Sequence, residues 1–221
     1  MSDSRPSVLR IAHRGMPRLA RENTLDSFSL ALEAGADGIE LDVHATSDGV
    51  VVVHHDPTLA DGTAIACLSR AQLSDTGDDG PLVPTLADVF QLVRGRAELF
   101  VEIKEDGIEG LVSDMLLAYG GPSAIHSFHL AMIARLARSA TPVRLGVLYE
   151  EEPLDVVTLL ESHGALDLWP HHPLVTAMLV ERVHAMGGRV IPWTVNDVGE
   201  AARLVVCGVD GLCSDDVRML A

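Results

Sequence analysis

The chain has 221 residues, 48% of them hydrophobic and 4% aromatic, and its 16 basic against 32 acidic residues give a net charge of −16. That length fits one large domain, and the negative field disfavours nucleic acid, whose binding depends on neutralising phosphates with Lys and Arg, as well as stable association with anionic lipid. No apolar run reaches the ~18 residues of a bilayer span. Residues 1–6 lack the apolar stretch of a secretory signal. Cys67, Cys207 and Cys213, in small or apolar surroundings without metal-like spacing, read as buried free thiols of a reducing, cytoplasmic compartment.

Residues 8–12 form a short apolar run that ends at His13-Arg14-Gly15, the pattern of a strand entering a turn. Asn23 or Thr24 can cap the next element, with Asp26 in its first turn. Leu25, Phe28 and Leu32 then recur at helical spacing, and Gly35 is a natural stop. A strand follows over 39–46, and Asp48-Gly49 turns the chain into four valines and His54-His55, predicting a hairpin extension. Residues 59–84, carrying Gly, Pro and Asp, predict an irregular excursion over the face of the domain. Pro84-Thr85-Leu86 opens a helix through Val93, and the next strand covers 98–104. From there helices at 109–119, 130–138, 154–163, 176–186 and 198–206 alternate with strands at 124–128, 143–149, 166–169, 189–195 and 211–214. Asp215-Asp216 then begin a short terminal helix, where negative charge is favoured.

Strands alternating with helices predict an α/β fold with a parallel sheet. Eight such strands without a two-domain break predict a (β/α)8 TIM barrel over residues 1–221, with a short excursion after strand two and loops trimmed from the ~250 residues usual for that fold. In such a barrel function sits at the C-terminal ends of the strands, and the chemistry-bearing residues fall there. Glu40 and Asp42, two apart in an apolar run, project to one strand face, and Glu102 with Lys104 repeats the pattern on the next strand. Three such carboxylates predict a hard-cation site, and all-oxygen ligation suits Mg²⁺ or Ca²⁺. Lys104 can balance charge beside the carboxylates or hold a phosphate. His13-Arg14-Gly15 looks like a phosphate-handling corner: Gly15 permits close backbone approach and Arg14 can fork onto phosphate oxygens. His55 is a second candidate histidine, with its neighbour His54 as competitor because adjacent strand residues face opposite ways. Trp193 and Asn196 lie at the mouth of strand seven, where Trp193 can wall a substrate pocket. His171-His172 read as structural or rim residues.

Several segments resemble, in order and spacing, the glycerophosphodiester phosphodiesterase family. They are Ile11-Ala12-His13-Arg14-Gly15, Glu22-Asn23-Thr24-Leu25, Glu40-Leu41-Asp42-Val43, Asp48-Gly49, His55-Asp56, Val101-Glu102-Ile103-Lys104, Ser127-Phe128, Trp193-Thr194-Val195-Asn196 and Gly208-Val209-Asp210-Gly211. The resemblance spans nearly the whole chain. It implies a barrel that uses a divalent metal to hydrolyse glycerophosphodiesters, small-molecule substrates, to glycerol 3-phosphate and an alcohol. It further implies metal ligation by Glu40, Asp42 and Glu102 and acid–base work by His13 and His55, which places His55 ahead of His54. The sequence departs from the pattern at Arg21 (commonly Pro), at Ala60-Asp61-Gly62-Thr63 in place of an Arg-Thr-Thr segment, at His129 (usually Asp) and at Ser214-Asp215-Asp216-Val217. The altered segment after His55 bears on the choice of leaving alcohol. Rival readings are a phospholipase D-like barrel acting on lipid head groups and a non-catalytic metal- or phosphate-binding barrel.

Overall fold

The structure, a computed structural model, describes residues 8–74, 83–151 and 155–220. The signal-peptide reading of residues 1–6 and part of the expected excursion, 75–82, therefore fall outside the described residues. Strands β1 (Leu9–His13), β2 (Gly38–Ala45), β4 (Glu98–Ile103), β5 (Ser123–Ser127), β6 (Arg144–Tyr149), β7 (Asp167–Pro170), β8 (Arg189–Val190) and β9 (Gly211–Ser214) run parallel in the order β8-β7-β6-β5-β4-β2-β1-β9. β3 (Val51–Val53) pairs antiparallel with β2 through the turn at Asp48-Gly49, the expected hairpin, with Val43 opposite Val53. Helices α1 (Leu25–Glu33), α3 (Leu86–Val93), α4 (Glu109–Tyr119), α5 (Leu130–Arg138), α6 (Val156–His163), α7 (Ala177–His184) and α8 (Val198–Cys207) cover the outside, and α2 (Arg70–Ser74) lies in the excursion. Helix starts follow local chemistry: Thr24, Thr85, Asp155, Thr176 and Asp197 each accept a backbone N–H of the first turn.

The barrel is nearly closed. The expected strand over 189–195 is regular only at Arg189–Val190, because Pro192 has no N–H to give to a ladder. The seam is instead held by single backbone bonds: Asp210 N to the Val190 carbonyl (3.0 Å), Cys213 N to the Pro192 carbonyl (3.0 Å) and Val195 N to the Cys213 carbonyl (2.8 Å). The described part of the excursion is more regular than expected, since Ile65–Cys67 forms a 3₁₀ turn before α2 and Ile65, Leu73 and Val83 pack on Val52. Cys67 is exposed and only Cys213 is buried, which corrects the expectation of three buried thiols. The error is local: the 3₁₀ turn buries Ile65 and turns Cys67 out to solvent.

Alternate strand residues point inward and stack in three layers. The bottom layer is ionic: Arg189 makes paired bonds to Glu98 (2.9 and 3.0 Å) and to Asp167 (2.6 and 3.0 Å), and Arg144 shares Asp167. The middle layer is apolar, built from Ile11, Phe100, Ala124, Leu148, Trp169, Ile191 and Cys213. Gly38 makes room for it, since a Cβ there would stand 2.6 Å from the Phe100 ring. The top layer holds the polar residues singled out above. The outward faces of the strands pack against the helices in one large aliphatic core, as an aromatic-poor composition requires.

Candidate active site

Strand register assembles the top layer. His13 on β1 lies opposite Glu40 on β2, Asp42 on β2 opposite Glu102 on β4, and Glu102 opposite His126 on β5. Facing residues on one side of paired strands lie within side-chain reach. A cavity of about 270 Å³ opens at this end and is lined by His13, Arg14, Glu40, His55, Glu102, Lys104, His126, Phe128 and Trp193 among others. Of the sequence-derived candidates, His13, Arg14, Glu40, His55, Glu102, Lys104 and Trp193 line it, and Asp42, His54 and Asn196 do not. Asp42, in register with Glu102, is wholly buried behind Arg14 and Lys104.

His13 Nδ1 lies 2.7 Å from Asp215 Oδ1, and the carboxylate can only accept, so Nδ1 donates and Nε2 is left for proton transfer. Asn196 orients Asp215, donating from Nδ2 to Oδ2 (2.6 Å) and accepting the Asp215 backbone N–H (3.1 Å). Burial works hardest on His13 and opposes its charge. The Asp215 hydrogen bond and the Glu40 carboxylate overcome it, so the pKa lies above the ordinary histidine value. Asp215 was expected only to begin the last helix, but Asp216 does that work, accepting the Arg218 N–H (3.1 Å). His55 forms a parallel pair, Nδ1 to Asp56 Oδ1 at 2.8 Å, again leaving Nε2. His54 instead turns to the Asp56 carbonyl (2.8 Å) and lines a neighbouring cavity with Arg21, Glu22 and Asn23, not the one holding His13.

Arg14 and Lys104 sit among carboxylates. Arg14 adopts a left-handed backbone (φ 53°), its N–H donates to Glu40 Oε2 (3.1 Å), and its guanidinium reaches Glu22 (3.1 Å) and Asp42 Oδ2 (3.2 Å). The next residue must be glycine: a Cβ on Gly15, at φ 89°, would lie 2.4 Å from Ser27 Oγ. Lys104 Nζ lies 2.9 Å from Glu102 Oε1 and 3.5 Å from Asp42 Oδ1, and Lys104 also lines the cavity. Burial would raise the Asp42 pKa, but Arg14, Lys104 and the Asn23 hydrogen bond (Nδ2 to Oδ2, 2.8 Å) hold it below the usual carboxylate range. Asn23 was expected as a possible cap for α1, yet Thr24 caps it and Asn23, in left-handed backbone at φ 57°, reaches across to Asp42. Glu102 goes the other way: burial, then the charge of Asp42, push its pKa to about 8 against the pull of Lys104.

Two carboxylates and one imidazole can converge on a cation. Glu40, Glu102 and His126 each offer a ligand atom within 4.8 Å of the others, and all three are buried. The residues fit a divalent metal. Acids outnumber bases here, burial already holds Glu102 partly in its neutral form, and the buried Asp42 Oδ1 and His126 Nδ1 make no hydrogen bond. Sequence reasoning missed His126, Asp215 and the reach of Asn23. A period-two reading of Ala124-Ile125-His126-Ser127-Phe128 would have placed His126 with Phe128 on the inward face. Asp215 was signalled only by its place at the C-terminal end of the last strand. Trp193 is where it was expected, at the cavity wall, donating Nε1–H to the Trp169 carbonyl (3.0 Å) and meeting Phe128 edge to face at 5.6 Å. His172 is structural as expected, bonded to Glu200 (2.8 Å).

Comparison with known proteins agrees with this geometry. A profile of the glycerophosphoryl diester phosphodiesterase family matches residues 13–219. A glycerophosphodiester phosphodiesterase of Caldanaerobacter subterraneus subsp. tengcongensis is 32% identical over 96% of both chains. One from Bacillus altitudinis is 29% identical over 92% of this chain and 93% of its own. Among solved structures, an Oleispira antarctica phosphodiesterase in complex with the product sn-glycerol-3-phosphate superposes with a TM-score of 0.85 at 26% identity, covering 97% of this chain and 95% of that one. The Thermotoga maritima glycerophosphodiester phosphodiesterase gives 0.82 at 26% identity over 97% of both chains. The chain therefore belongs to the glycerophosphoryl diester phosphodiesterase family.

Proposed function

We propose that this chain hydrolyses small, water-soluble glycerophosphodiesters to glycerol 3-phosphate and an alcohol, using His13 and His55 as the acid–base pair and a divalent cation at Glu40, Asp42 and Glu102. The observation that carries the reading is the arrangement at the mouth: two histidines, each bonded through Nδ1 to its own aspartate, line one cavity with an acidic cluster. A protein that only binds a metal or a phosphate needs no such pair. The bound product of the Oleispira neighbour supports the substrate class.

A bound divalent cation, Mg²⁺ or Ca²⁺ by its oxygen donors, supplies Lewis-acid neutralisation of the charge that gathers on the phosphoryl oxygens. The chain's own groups do the rest. Arg14 and Lys104 add positive charge at the cavity wall. His55 Nε2 takes the proton of the nucleophile as its oxygen bonds to phosphorus; water gives glycerol 3-phosphate directly, whereas the neighbouring glycerol hydroxyl gives a cyclic phosphate that a water then opens in a second, equivalent step. His13, whose charged form Asp215 favours, gives the Nε2 proton to the departing alkoxide as the second P–O bond breaks. Trp193 and Phe128 wall the cavity against water.

Among the described residues no helix is long and apolar enough to cross a membrane. The net charge of −16 also gives anionic lipid no basic face to hold. Together with three free thiols, this supports a cytoplasmic enzyme of deacylated phospholipids. The test compares glycerophosphocholine and glycerophosphoethanolamine with lysophosphatidylcholine below and above its micelle threshold, following release of glycerol 3-phosphate. Faster turnover of the two soluble diesters is expected. Faster cleavage of the lysolipid, with activation at the interface, would transfer the enzyme to the phospholipase D-like reading.

A further inference from the structure

We propose that His126 is a nitrogen donor to the cation, so that the site prefers Mn²⁺ and other borderline divalent metals to Ca²⁺. This rests on the metal site of the preceding section, where the carboxylates alone favour hard cations. His126 is 1% exposed, and its Nε2 stands 3.6 Å from Glu40 Oε1 while Nδ1 has no hydrogen-bond partner. A buried imidazole with one nitrogen unpartnered and the other only loosely paired to a carboxylate is unfavourable by desolvation. One that faces two carboxylates within 4.8 Å gains a partner when a cation lies between them.

The ring is also pre-aimed. It stacks on Trp169 with centroids 4.3 Å apart and planes 12° apart, and the pairing of Glu102 with His126 sets its backbone on the strand next to a carboxylate ligand. Trp169 is itself fixed, 1% exposed in the middle layer with its carbonyl held by Trp193. A rigid nitrogen donor changes selectivity in a defined direction. Imidazole binds Mn²⁺, Co²⁺ and Zn²⁺ in the rising order of first-row affinities and adds little for Ca²⁺, which takes oxygen and wants more ligands at longer range.

The experiment uses the full chain stripped of metal and loaded with Mn²⁺. Pulsed electron paramagnetic resonance of wild type should show ¹⁴N coupling from one imidazole, absent in His126→Gln. Competition titrations should give tighter Mn²⁺ than Ca²⁺ binding in wild type. Outer-sphere partners alone are worth roughly 10–100-fold in affinity, so loss of a direct donor should weaken Mn²⁺ by roughly tenfold or more and change Ca²⁺ little. Mn²⁺ that binds, is lost in Glu40→Gln, and shows no nitrogen coupling in wild type overturns the His126 assignment and leaves the metal reading standing. Failure of wild type to bind Mn²⁺, Mg²⁺ or Ca²⁺ at all overturns both. The wild-type spectrum decides the matter even where the variant does not fold.

Discussion

The two ends of the barrel interior are both ionic, and they are built on opposite terms. At the bottom, Arg144 and Arg189 face Asp167 and Glu98, two cations for two anions. Arg189 forks onto both acids, with bonds of 2.6 to 3.0 Å. Burial opposes its charge, yet the Asp167 and Glu98 hydrogen bonds raise its pKa still further. At the mouth, the three acids Glu40, Asp42 and Glu102 share two permanent cations among the described residues, Arg14 and Lys104, and one acid, Glu102, is pushed to about 8. Seven apolar or thiol side chains separate the two clusters. A satisfied network specifies and holds a core, whereas an unbalanced one stores unfavourable charge that a ligand can relieve. The bottom thus serves the fold and the mouth serves chemistry.

If that division is right, substitutions at the two ends should fail in different assays. His13→Ala and His55→Ala should each lower kcat by roughly 10²- to 10⁴-fold, the range for a lost general acid or base, with little change in denaturant midpoint. Essential His54 and dispensable His55 would show that the hairpin register has been misread. Asp167→Ala should do the reverse. It takes from half-buried Arg144 its carboxylate and from half-buried Arg189 one of its two, and breaking a fully buried pair costs about 3–5 kcal/mol, which sets the upper end of the expected loss. Urea unfolding should show that loss, while kcat per folded molecule is unchanged. A large fall in kcat at unchanged stability would break the comparison.

Asp215→Asn should be a milder lesion of the mouth. Asp215, with help from Glu40, raises His13 against burial, so without the Asp215 charge the alkaline limb of the kcat profile should move to lower pH, and kcat at neutral pH should fall by roughly 10²-fold. An unmoved limb would detach Asp215 from the titration. Glu102 gives a second pH test, on stability. Burial and the charge of Asp42 push its carboxyl up to about 8 in the folded protein, against the ordinary 4.5 of a glutamate. Between those values the folded state holds a proton that the unfolded chain has released, so the stability of chelated protein should fall as pH rises through that window. Glu102→Gln should flatten the slope, and urea midpoints at several pH values measure it. Trp193→Ala should have the smallest effect on stability, raising KM for glycerophosphocholine more than it lowers Tm. The opposite balance would return Trp193 to the core.

Much of this division was legible in the sequence, and its gaps share a cause. Alternation of strands and helices gave the barrel, and Glu40, Asp42 and Glu102 announced themselves because paired acids are rare in apolar strands. Trp193, His13 and His55 followed from strand ends. What a linear reading lacks is register. Alternation along 124–128 could turn His126 inward, but only the register of β5 sets it opposite Glu102. Asp215 read as helix-start charge because the residue it meets is 202 positions away in the chain. Asn23 looked like a cap because nothing in the linear sequence marks its left-handed backbone or its partner Asp42, 19 positions away. Pro192 was the reverse case: its broken ladder was written in the sequence, and the strand over 189–195 ran through it.

Turnover of glycerophosphocholine during chelation and metal titration tests the central claim, that the unbalanced mouth is a metal-assisted hydrolytic centre, most directly. Exhaustive chelation should abolish release of glycerol 3-phosphate without unfolding the chain, and adding back a divalent cation should restore it to saturation, with protons released as Glu102 gives up its proton on binding. Full turnover after complete removal of metal would contradict the claim.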